Sequence, residues 1–380
     1  MLKKTIFFKN RISLRPKENE RLHRIIILAG LVSLLFYLGS TVFIQNTFFI
    51  QHSQAKIKAA EIMQKAVSVI REHCFKSGIK INEMTDPNNT GLIGSEFSGI
   101  TTTLGHLQAK RTTTNPNFAA LIVQLLDEAG VNSGDTIAIG CSASFPASMI
   151  ASLAATKAME IQPVIIFSLG ASSYGANNPD FNLLNIYQLL LKEKVFDVQP
   201  AAISLGGEKD VGEGFESSIQ QQLIQQIQES TFPFIYEKDF QKSVKKRMNI
   251  YKGNSANQRI SAFINCGGSQ ANMGTSGLAL KIKSGLNKDI VEIPAINERG
   301  VIFEMAALHI PVIHLLYIKG LILKYGLPWD PIPLPEPGQA GLFNSHSNNN
   351  LIFWFISILY FTVLIFLIAF GMKKGNIEMQ

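Results

Sequence analysis

Two long uncharged hydrophobic segments, one near each end of the chain, dominate the pattern of apolar and polar positions. Residues 25–51 contain no Lys, Arg, Asp or Glu, and residues 351–372 are also uncharged and rich in Ile, Leu and Phe. A helix needs roughly 20 apolar residues to cross a bilayer core. A cleaved signal peptide would have a shorter apolar region that ends in a small-residue cleavage site, which we do not find. We therefore predict two transmembrane helices, at 25–51 and 350–372.

Between these segments, short β-branched apolar runs alternate with longer runs of helical composition. The short runs predict strands at 135–139, 163–167, 200–204, 261–265 and 311–317. The longer runs predict helices at 117–129, 147–159, 181–192 and 215–229. Strands that alternate with helices form right-handed βαβ units. The predicted fold class is therefore α/β, with a mainly parallel Rossmann-like sheet flanked by helices and placed between the two transmembrane helices.

The same pattern sets the predicted domain boundaries. Residues 53–76 have apolar positions at helical spacing with charges between them, which indicates an amphipathic helix. Residues 325–349 contain five prolines, which indicates an extended linker. The predicted order is a basic cytoplasmic tail (1–24), a transmembrane helix (25–51), an amphipathic stalk (52–94), an α/β ligand-binding domain (95–324), a Pro-rich linker (325–349), a transmembrane helix (350–372) and a cytoplasmic tail (373–380).

The distribution of charge favours a membrane protein over a nucleic-acid binder. The net charge is +7, but residues 1–24 hold eight Lys and Arg against Glu18 and Glu20, so most of the excess precedes the first hydrophobic segment. A basic patch interleaved with aromatic residues is missing, so no nucleic-acid partner is predicted. The positive-inside rule places both termini in the cytoplasm and the large domain outside a cytoplasmic (inner) membrane. The basic tail would then face anionic lipid.

Cysteine spacing and the glycine loops predict neither a metal nor a cofactor. The three cysteines, Cys74, Cys141 and Cys266, include no CxxC pair. Cys141 and Cys266 each end a predicted strand beside glycine, which is typical of small buried residues, although one disulfide remains possible. No loop matches GxGxxG or GxxxxGK[ST], so a nucleotide is not favoured.

Loops rich in Gly, Ser and Asn follow four of the predicted strands. In a parallel sheet such loops gather at the carboxyl edge, where open α/β folds bind ligands, although ordinary turn chemistry is the alternative interpretation. A polar run over 94–118 groups hydroxyls with two adjacent cations, which resembles an anion-contacting loop or a solvated one. The predicted binding residues are Thr101, Thr102, Thr103, Lys110, Arg111, Gly140, Cys141, Ser142, Ser144, Ser172, Ser173, Gly207, Gly267, Gly268, Ser269, Asn272, Glu298 and Arg299.

One short motif keeps an enzymatic alternative open. Gly140-Cys-Ser142-Ala-Ser144 resembles the nucleophile elbow GxSxG, with serine in place of the last glycine. Catalysis by Ser142 or Ser144 would need a base, which Glu96 or His106 in the polar run would supply. The remaining candidate histidines, His309 and His314, lie in apolar sequence surroundings that are typical of core residues.

Four stretches of the chain resemble one known family, the poly-gamma-glutamate system protein family. They are residues 95–159, SLGASSYGANNPDF (168–181), GGSQANMG (267–274) and NERG (297–300). The resemblance implies a place beside the membrane-bound poly-γ-glutamate synthase, in making or exporting that polymer. The implied partners are poly-γ-glutamate or a glutamyl oligomer, the synthase subunits and the lipid bilayer. Because no biochemical activity is defined for the family, no catalytic residues follow from it.

This resemblance agrees with the predicted chemistry of the loops. A cleft lined by amides and hydroxyls, with arginine and lysine near it, suits carboxylates. We therefore expect a membrane-anchored accessory protein that binds the anionic polymer or its synthase through the loops at the carboxyl edge. The alternative is an extracytoplasmic γ-glutamyl hydrolase or transferase with a serine nucleophile.

Overall fold

The computed structural model describes residues 16–46, 51–255, 259–343 and 350–377. The chain divides into two compact units, Met1–Ile50 with His346–Gln380, and Gln51–Ser345. Most of the predicted basic tail, the last residues of the predicted linker (344–349) and the last three residues of the chain therefore lie outside the described residues.

The larger unit is built on a seven-stranded sheet. Its strands are β2 Thr136–Ser142, β3 Gln162–Ser168, β7 Ala202–Ser204, β8 Phe234–Ile235, β9 Phe263–Cys266, β10 Gly285–Asn287 and β11 Val312–Leu315. Their order is β10-β11-β9-β2-β3-β7-β8, with every neighbouring pair parallel except β10 with β11. Two small sheets pair β1 Thr101–Thr103 with β4 Ala171–Ser172, and β5 Asn177–Asn178 with β6 Phe181–Asn182. The predicted α/β class with a mainly parallel sheet is confirmed.

Helices cover both faces of this sheet because both faces are apolar. In β2, Ile137 and Ile139 belong to one hydrophobic cluster and Ala138 belongs to the other, as the alternation of a strand requires. The first face packs against α2 Gln51–Lys76, α3 Leu107–Thr113, α4 Asn117–Glu128, α5 Pro146–Met159, α6 Leu183–Lys192, α7 Ser217–Glu229 and α11 Ile318–Lys324. The second packs against α8 Phe240–Gly253, α9 Gln270–Met273 and α10 Val301–Ala307.

The smaller unit contains two long helices, α1 Pro16–Asn46 and α12 Asn350–Ile377, at the predicted hydrophobic segments. They contact each other through Tyr360, whose ring stacks on Phe36 with the centroids 4.4 Å apart and whose hydroxyl lies 2.7 Å from Ser33 Oγ. Over the part of the chain with described side chains, no helix has an apolar stretch long enough to cross a membrane. The two transmembrane helices therefore stay a prediction.

Helix α2 is the predicted amphipathic helix, but it is not a stalk. Its apolar stripe, which includes Met63, Ala66 and Ile70, is buried in the main hydrophobic cluster against α4 and α5. An amphipathic stripe shows that one face needs an apolar partner, but it does not identify that partner. The partner here is the domain itself, so the predicted boundary between stalk and domain is wrong.

The predicted Pro-rich linker is also part of the domain. Its described part, residues 325–343, buries Leu327 and Leu342 in the main cluster. Asn117, at the start of α4, accepts a hydrogen bond from the Gly338 amide at 2.9 Å. Proline content predicts an extended backbone, but an extended segment still packs when it carries apolar side chains.

The packing of α2 generates a stability prediction. Met63→Ala is expected to lower the free energy of unfolding by about 2–5 kcal/mol, because it removes a fully buried side chain and leaves a cavity. Lys65→Ala, on the exposed face of the same helix, is the matched control and should change it by about 0.5 kcal/mol at most. Urea unfolding monitored by circular dichroism measures both. Equal small effects of the two substitutions would mean that α2 does not pack in the domain.

Candidate functional site

The predicted loops converge at the carboxyl edge of the sheet. The loops after β2 and β3 are joined by the Ala143 amide, which donates to Ser168 O at 2.9 Å. The loops after β7 and β9 are joined by the Lys209 amide, which donates to Gln270 Oε1 at 2.6 Å. Because β2 and β3 lie between β9 and β7 in the sheet, the hydrogen bond from Lys209 to Gln270 crosses over the carboxyl ends of β2 and β3. The loops thus form one connected surface over the central strands.

This edge is closed by its own residues instead of open as a groove. Cys141, Ser142 and Ser144 are buried, and Ser144 Oγ accepts a hydrogen bond from the Ser172 amide at 3.0 Å. Gly267 adopts φ +94°, and a Cβ at this position would collide with Ser142 Oγ. Some of the glycines and serines therefore allow the loops to pack closely against each other. This agrees with ordinary turn chemistry, the alternative interpretation of these loops.

A buried polar network lies behind this edge. Asn265 Nδ2 is 2.8 Å from Gly267 O and 3.1 Å from His314 Nδ1, while Asn265 Oδ1 accepts from Asn272 Nδ2 at 3.0 Å. These bonds make His314 Nδ1 an acceptor, which requires a neutral imidazole. Burial lowers the pKa of His314 to about 4. The Oγ of Ser142 and the Oδ1 of Asn272 are buried without a hydrogen-bond partner.

Sequence reasoning missed Asn265, although a signal was present. It is a polar residue inside an otherwise apolar strand, and its register places it opposite Gly140 on one side and His314 on the other. His314 itself is buried, which confirms the core assignment. His309 is exposed at the end of α10, so its assignment to the core was wrong.

Lys110 reaches the loop edge from α3 and is buried there. Its Nζ donates to Ser144 O, lies 2.7 Å from Ser172 Oγ and sits 3.6 Å from the centroid of the Phe145 ring. Burial alone lowers the pKa of Lys110 from its ordinary value of 10.5 to about 7. No carboxylate among the described residues forms an ion pair with it. Lys110 is therefore a desolvated amine in contact with a hydroxyl.

Arg111, which follows Lys110 in the sequence, does not contribute a free cation to this edge. Its guanidinium binds both carboxylate oxygens of Asp330, with Nε 2.7 Å from Oδ1. The two side chains are only 14% and 15% exposed. The prediction that Arg111 contacts an anionic ligand is therefore wrong, because the Asp330 carboxylate already occupies the hydrogen-bond donors of its guanidinium group.

The threonine run joins the edge through the small sheet formed by β1 and β4. Thr102 Oγ1 donates to Ala171 O at 3.1 Å, and the register of the two strands places Thr103 beside Ser172. Thr101 Oγ1 accepts the Ser98 amide at 2.9 Å, which occupies it in a turn. Of the three, Thr102 and Thr103 are exposed.

Glu298 and Arg299 sit beside α9, and a backbone hydrogen bond joins Glu298 to the residues that follow this helix. The Thr275 amide donates to Glu298 O at 3.0 Å. The Arg299 side chain turns away, since its Nε donates to Pro294 O at 2.9 Å and its Nη1 lies 3.7 Å from Glu304. The Arg299 side chain is therefore not placed in the predicted composite site. The other predicted residues of this region, Gly268 and Ser269, form its outer surface.

The predicted serine nucleophiles lack a base. Ser142 Oγ has no hydrogen-bond partner, and the bond that Ser144 Oγ accepts comes from a backbone amide. No described contact joins either serine to Glu96 or His106. Burial raises the pKa of the Cys141 thiol well above its ordinary value, which disfavours a thiolate nucleophile. Catalysis by Ser142 or Ser144 therefore has no geometric support.

The cysteines and acidic residues provide no metal site in the part of the chain that is described. Cys74, Cys141 and Cys266 are free, buried thiols. No group of three or more His, Cys, Asp or Glu side chains there is arranged to hold a metal ion.

An open cleft of about 380 Å³ lies beside the closed edge. One wall is the loop after β7, with Lys209, Gly212 and Phe215, and the other follows β8, with Tyr236 and Lys238. The β7 loop was predicted to bind a ligand, whereas Tyr236 and Lys238 were missed. They follow a two-residue strand at the edge of the sheet, which is too short to give a sequence pattern.

Comparison with known protein families, with curated proteins and with solved structures finds no match to this chain. The fold and the edge define a class of protein instead: an α/β domain with a closed, hydroxyl-rich carboxyl edge and an adjoining lysine-bearing cleft.

The buried His314 generates a pH prediction. Its folded pKa of about 4 lies below its ordinary value of 6.5, so the unfolded chain binds more protons between these values. The free energy of unfolding should therefore fall by about 3 kcal/mol through this group as the pH drops from 6.5 to 4. Urea unfolding across this range measures the slope, which should be smaller in His314→Gln. The exposed His309→Gln is the matched control, and an equal slope in both variants would contradict the assignment.

Proposed function

We propose that this chain is a membrane-anchored accessory protein of poly-γ-glutamate synthesis or export, and that its α/β domain binds the anionic polymer at the carboxyl edge of the sheet. The single observation that carries the proposal is the open cleft beside that edge, which brings two lysines and two aromatic rings together. The resemblance of four sequence stretches to the poly-gamma-glutamate system protein family supplies the identity of the polymer.

The chemistry of the cleft suits a γ-glutamyl chain. Each γ-glutamyl residue carries a carboxylate, an amide and two methylene groups. Lys238 offers a cation to a carboxylate, while Lys209 lies beside it in an ion pair with Glu213 at 3.0 Å. Phe215 and Tyr236 offer apolar surface to the methylenes. The hydrogen bond to Glu213 raises the pKa of Lys209, so this lysine stays charged at neutral pH. In the described part of the chain, Lys238 has no ion pair that would compete with a ligand.

Size and access also favour a short segment of a polymer. A volume of about 380 Å³ lies near the lower end of small-molecule sites, which span about 300–1,000 Å³. The cleft is open to solvent, so a segment of a longer chain has access to it. Gly212 and Gly214 also line the cleft.

Two further parts of the proposal rest on the sequence. The uncharged segments at 25–51 and 350–372 would anchor the chain in the cytoplasmic membrane with both termini inside and the α/β domain outside. Their many exposed apolar side chains, such as Leu35 and Phe355, favour lipid or partner helices as surroundings. The membrane-bound synthase subunits are the proposed partners of these helices.

Binding of fluorescent γ-glutamyl oligomers to the purified full chain, followed by fluorescence anisotropy, tests the cleft. Lys238→Ala is expected to weaken binding about fivefold, because an exposed charge contact contributes about 1 kcal/mol at most. Combining it with Lys209→Ala should weaken binding further and reduce its dependence on salt.

The matched control is Lys192→Ala, which removes one exposed lysine at the end of α6, away from the cleft. It should bind the oligomers like the wild type. The proposal fails if the wild type does not bind them, or if Lys238→Ala and Lys192→Ala bind with the same affinity.

A further inference from the structure

We propose that Ser172 and Lys110 form a serine–lysine pair for acyl transfer, in which Ser172 Oγ is the nucleophile and Lys110 Nζ is its general base. The inference assigns catalysis to a serine that the nucleophile-like motif of residues 140–144 does not contain. Its substrate class, the γ-glutamyl amide bond, rests on the proposed function.

The contact between the two groups has the geometry of a nucleophile and its base. Lys110 Nζ lies 2.7 Å from Ser172 Oγ, within hydrogen-bond reach. A neutral amine has two N–H donors and one lone pair. One N–H goes to Ser144 O, and the lone pair is then available for the Ser172 hydroxyl. In the structure Nζ donates this bond to Ser172 Oγ, and loss of one proton from the ammonium reverses it, so that the lone pair accepts the hydroxyl proton.

Ser144 positions both members of the pair. Its carbonyl oxygen holds the amine of Lys110, and its Oγ accepts the backbone amide of Ser172 at 3.0 Å. The two serines follow β2 and β3, which are hydrogen-bonded neighbours in the sheet. The sheet register therefore fixes the distance between the nucleophile and the carbonyl that orients its base.

The surroundings favour a neutral lysine near physiological pH. Lys110 is buried above the ring of Phe145, and burial is the only cause of its lowered pKa of about 7. The neighbouring charged groups do not oppose this. Arg111 is paired with Asp330, and His106 is exposed at the start of α3. Desolvation of a lysine is one of the established ways to produce a general base or an activated amine.

A thin loop separates the pair from solvent. Ser172 is only 6% exposed, and Gly105 lies directly above it, since a Cβ on Gly105 would be 3.1 Å from Ser172 Oγ. The preceding Leu104 is 78% exposed, so this loop has little apolar packing to hold it down. If residues 104–106 move away, Ser172 becomes accessible to a substrate. When they return, they exclude water from the pair.

The reaction balances with water as the only co-reactant. Ser172 Oγ forms a bond to the amide carbonyl carbon while its proton moves to Lys110 Nζ. The carbon–nitrogen bond then breaks, and Lys110 returns that proton to the leaving amine. Water next attacks the resulting ester and gives a proton to Lys110, and cleavage of the ester bond returns this proton to Ser172. The net result is hydrolysis of one amide bond, and an amine in place of water gives transfer.

Labelling of the purified full chain with an uncharged alkyl fluorophosphonate tests the pair. The label is expected on Ser172, located by mass spectrometry, and absent in Ser172→Ala. Its rate should rise roughly tenfold from pH 6 to pH 8, as Lys110 loses its proton. Lys110→Arg keeps the charge but cannot act as a base at these pH values, so it should slow labelling by about 10²–10⁴-fold.

Ser152→Ala is the matched control, because Ser152 is a buried serine on α5 whose Oγ donates to Ser148 O at 2.8 Å and which was not predicted to bind a ligand. It should label at the wild-type rate. Circular dichroism confirms folding of each variant, and Lys110→Met supplies a second replacement of similar length. If Lys110 only stabilises the loops and does not act as a base, the probe should not label the folded wild type.

Three results would overturn the inference: no labelling of the folded wild type between pH 6 and 9, labelling that persists in Ser172→Ala, or a labelling rate independent of pH. The probe carries no carboxylate and does not need the lysines of the cleft. Failure of oligomer binding with successful labelling would therefore reject the proposed polymer but keep the catalytic pair. New amino groups released from γ-glutamyl oligomers by the wild type, and not by Ser172→Ala, would support the substrate class.

Discussion

The site depends on the pairing between β2 and β3, which run parallel and in register from Thr136 opposite Gln162 to Ser142 opposite Ser168. Because both strands end at the same level, the loops that follow them leave the sheet side by side and form hydrogen bonds with each other. Two buried faces hold this register, since a shift by one residue would exchange the side chains of the two hydrophobic clusters.

The fold was predictable because alternation and helical periodicity record which faces are buried, and both signals are strong in this chain. The strand predicted at 163–167 is β3, Gln162–Ser168, and the helix predicted at 147–159 is α5, Pro146–Met159. Periodicity does not show which element packs against an apolar face. The apolar face of α2 was therefore assigned to a stalk, although it packs against the domain. The two-residue strand β8 was missed because so short an element has no period.

The site was predicted less well because neighbours in sequence were treated as neighbours in space. Lys110 and Arg111 follow each other on α3, where 3.6 residues per turn separate successive side chains by about 100°. Lys110 therefore points to the serines at the loop edge, whereas Arg111 points to Asp330. Ser142 and Ser144 were singled out by a motif, but the serine that contacts a base, Ser172, comes from the next loop. Only the sheet register brings these groups together.

One edge of the sheet thus holds two kinds of lysine, and their surroundings set their protonation in opposite directions. Lys209 is exposed beside Glu213, whose carboxylate raises the pKa of the lysine and favours its ammonium form. Lys110 is buried without a carboxylate, so the neutral amine is favoured as the pH rises above about 7. A buried ammonium would need a counter-charge, and only Ser144 O, Ser172 Oγ and the Phe145 ring contact it. The two lysines therefore differ in the protonation state that their surroundings favour, although both lie at the same edge of the sheet.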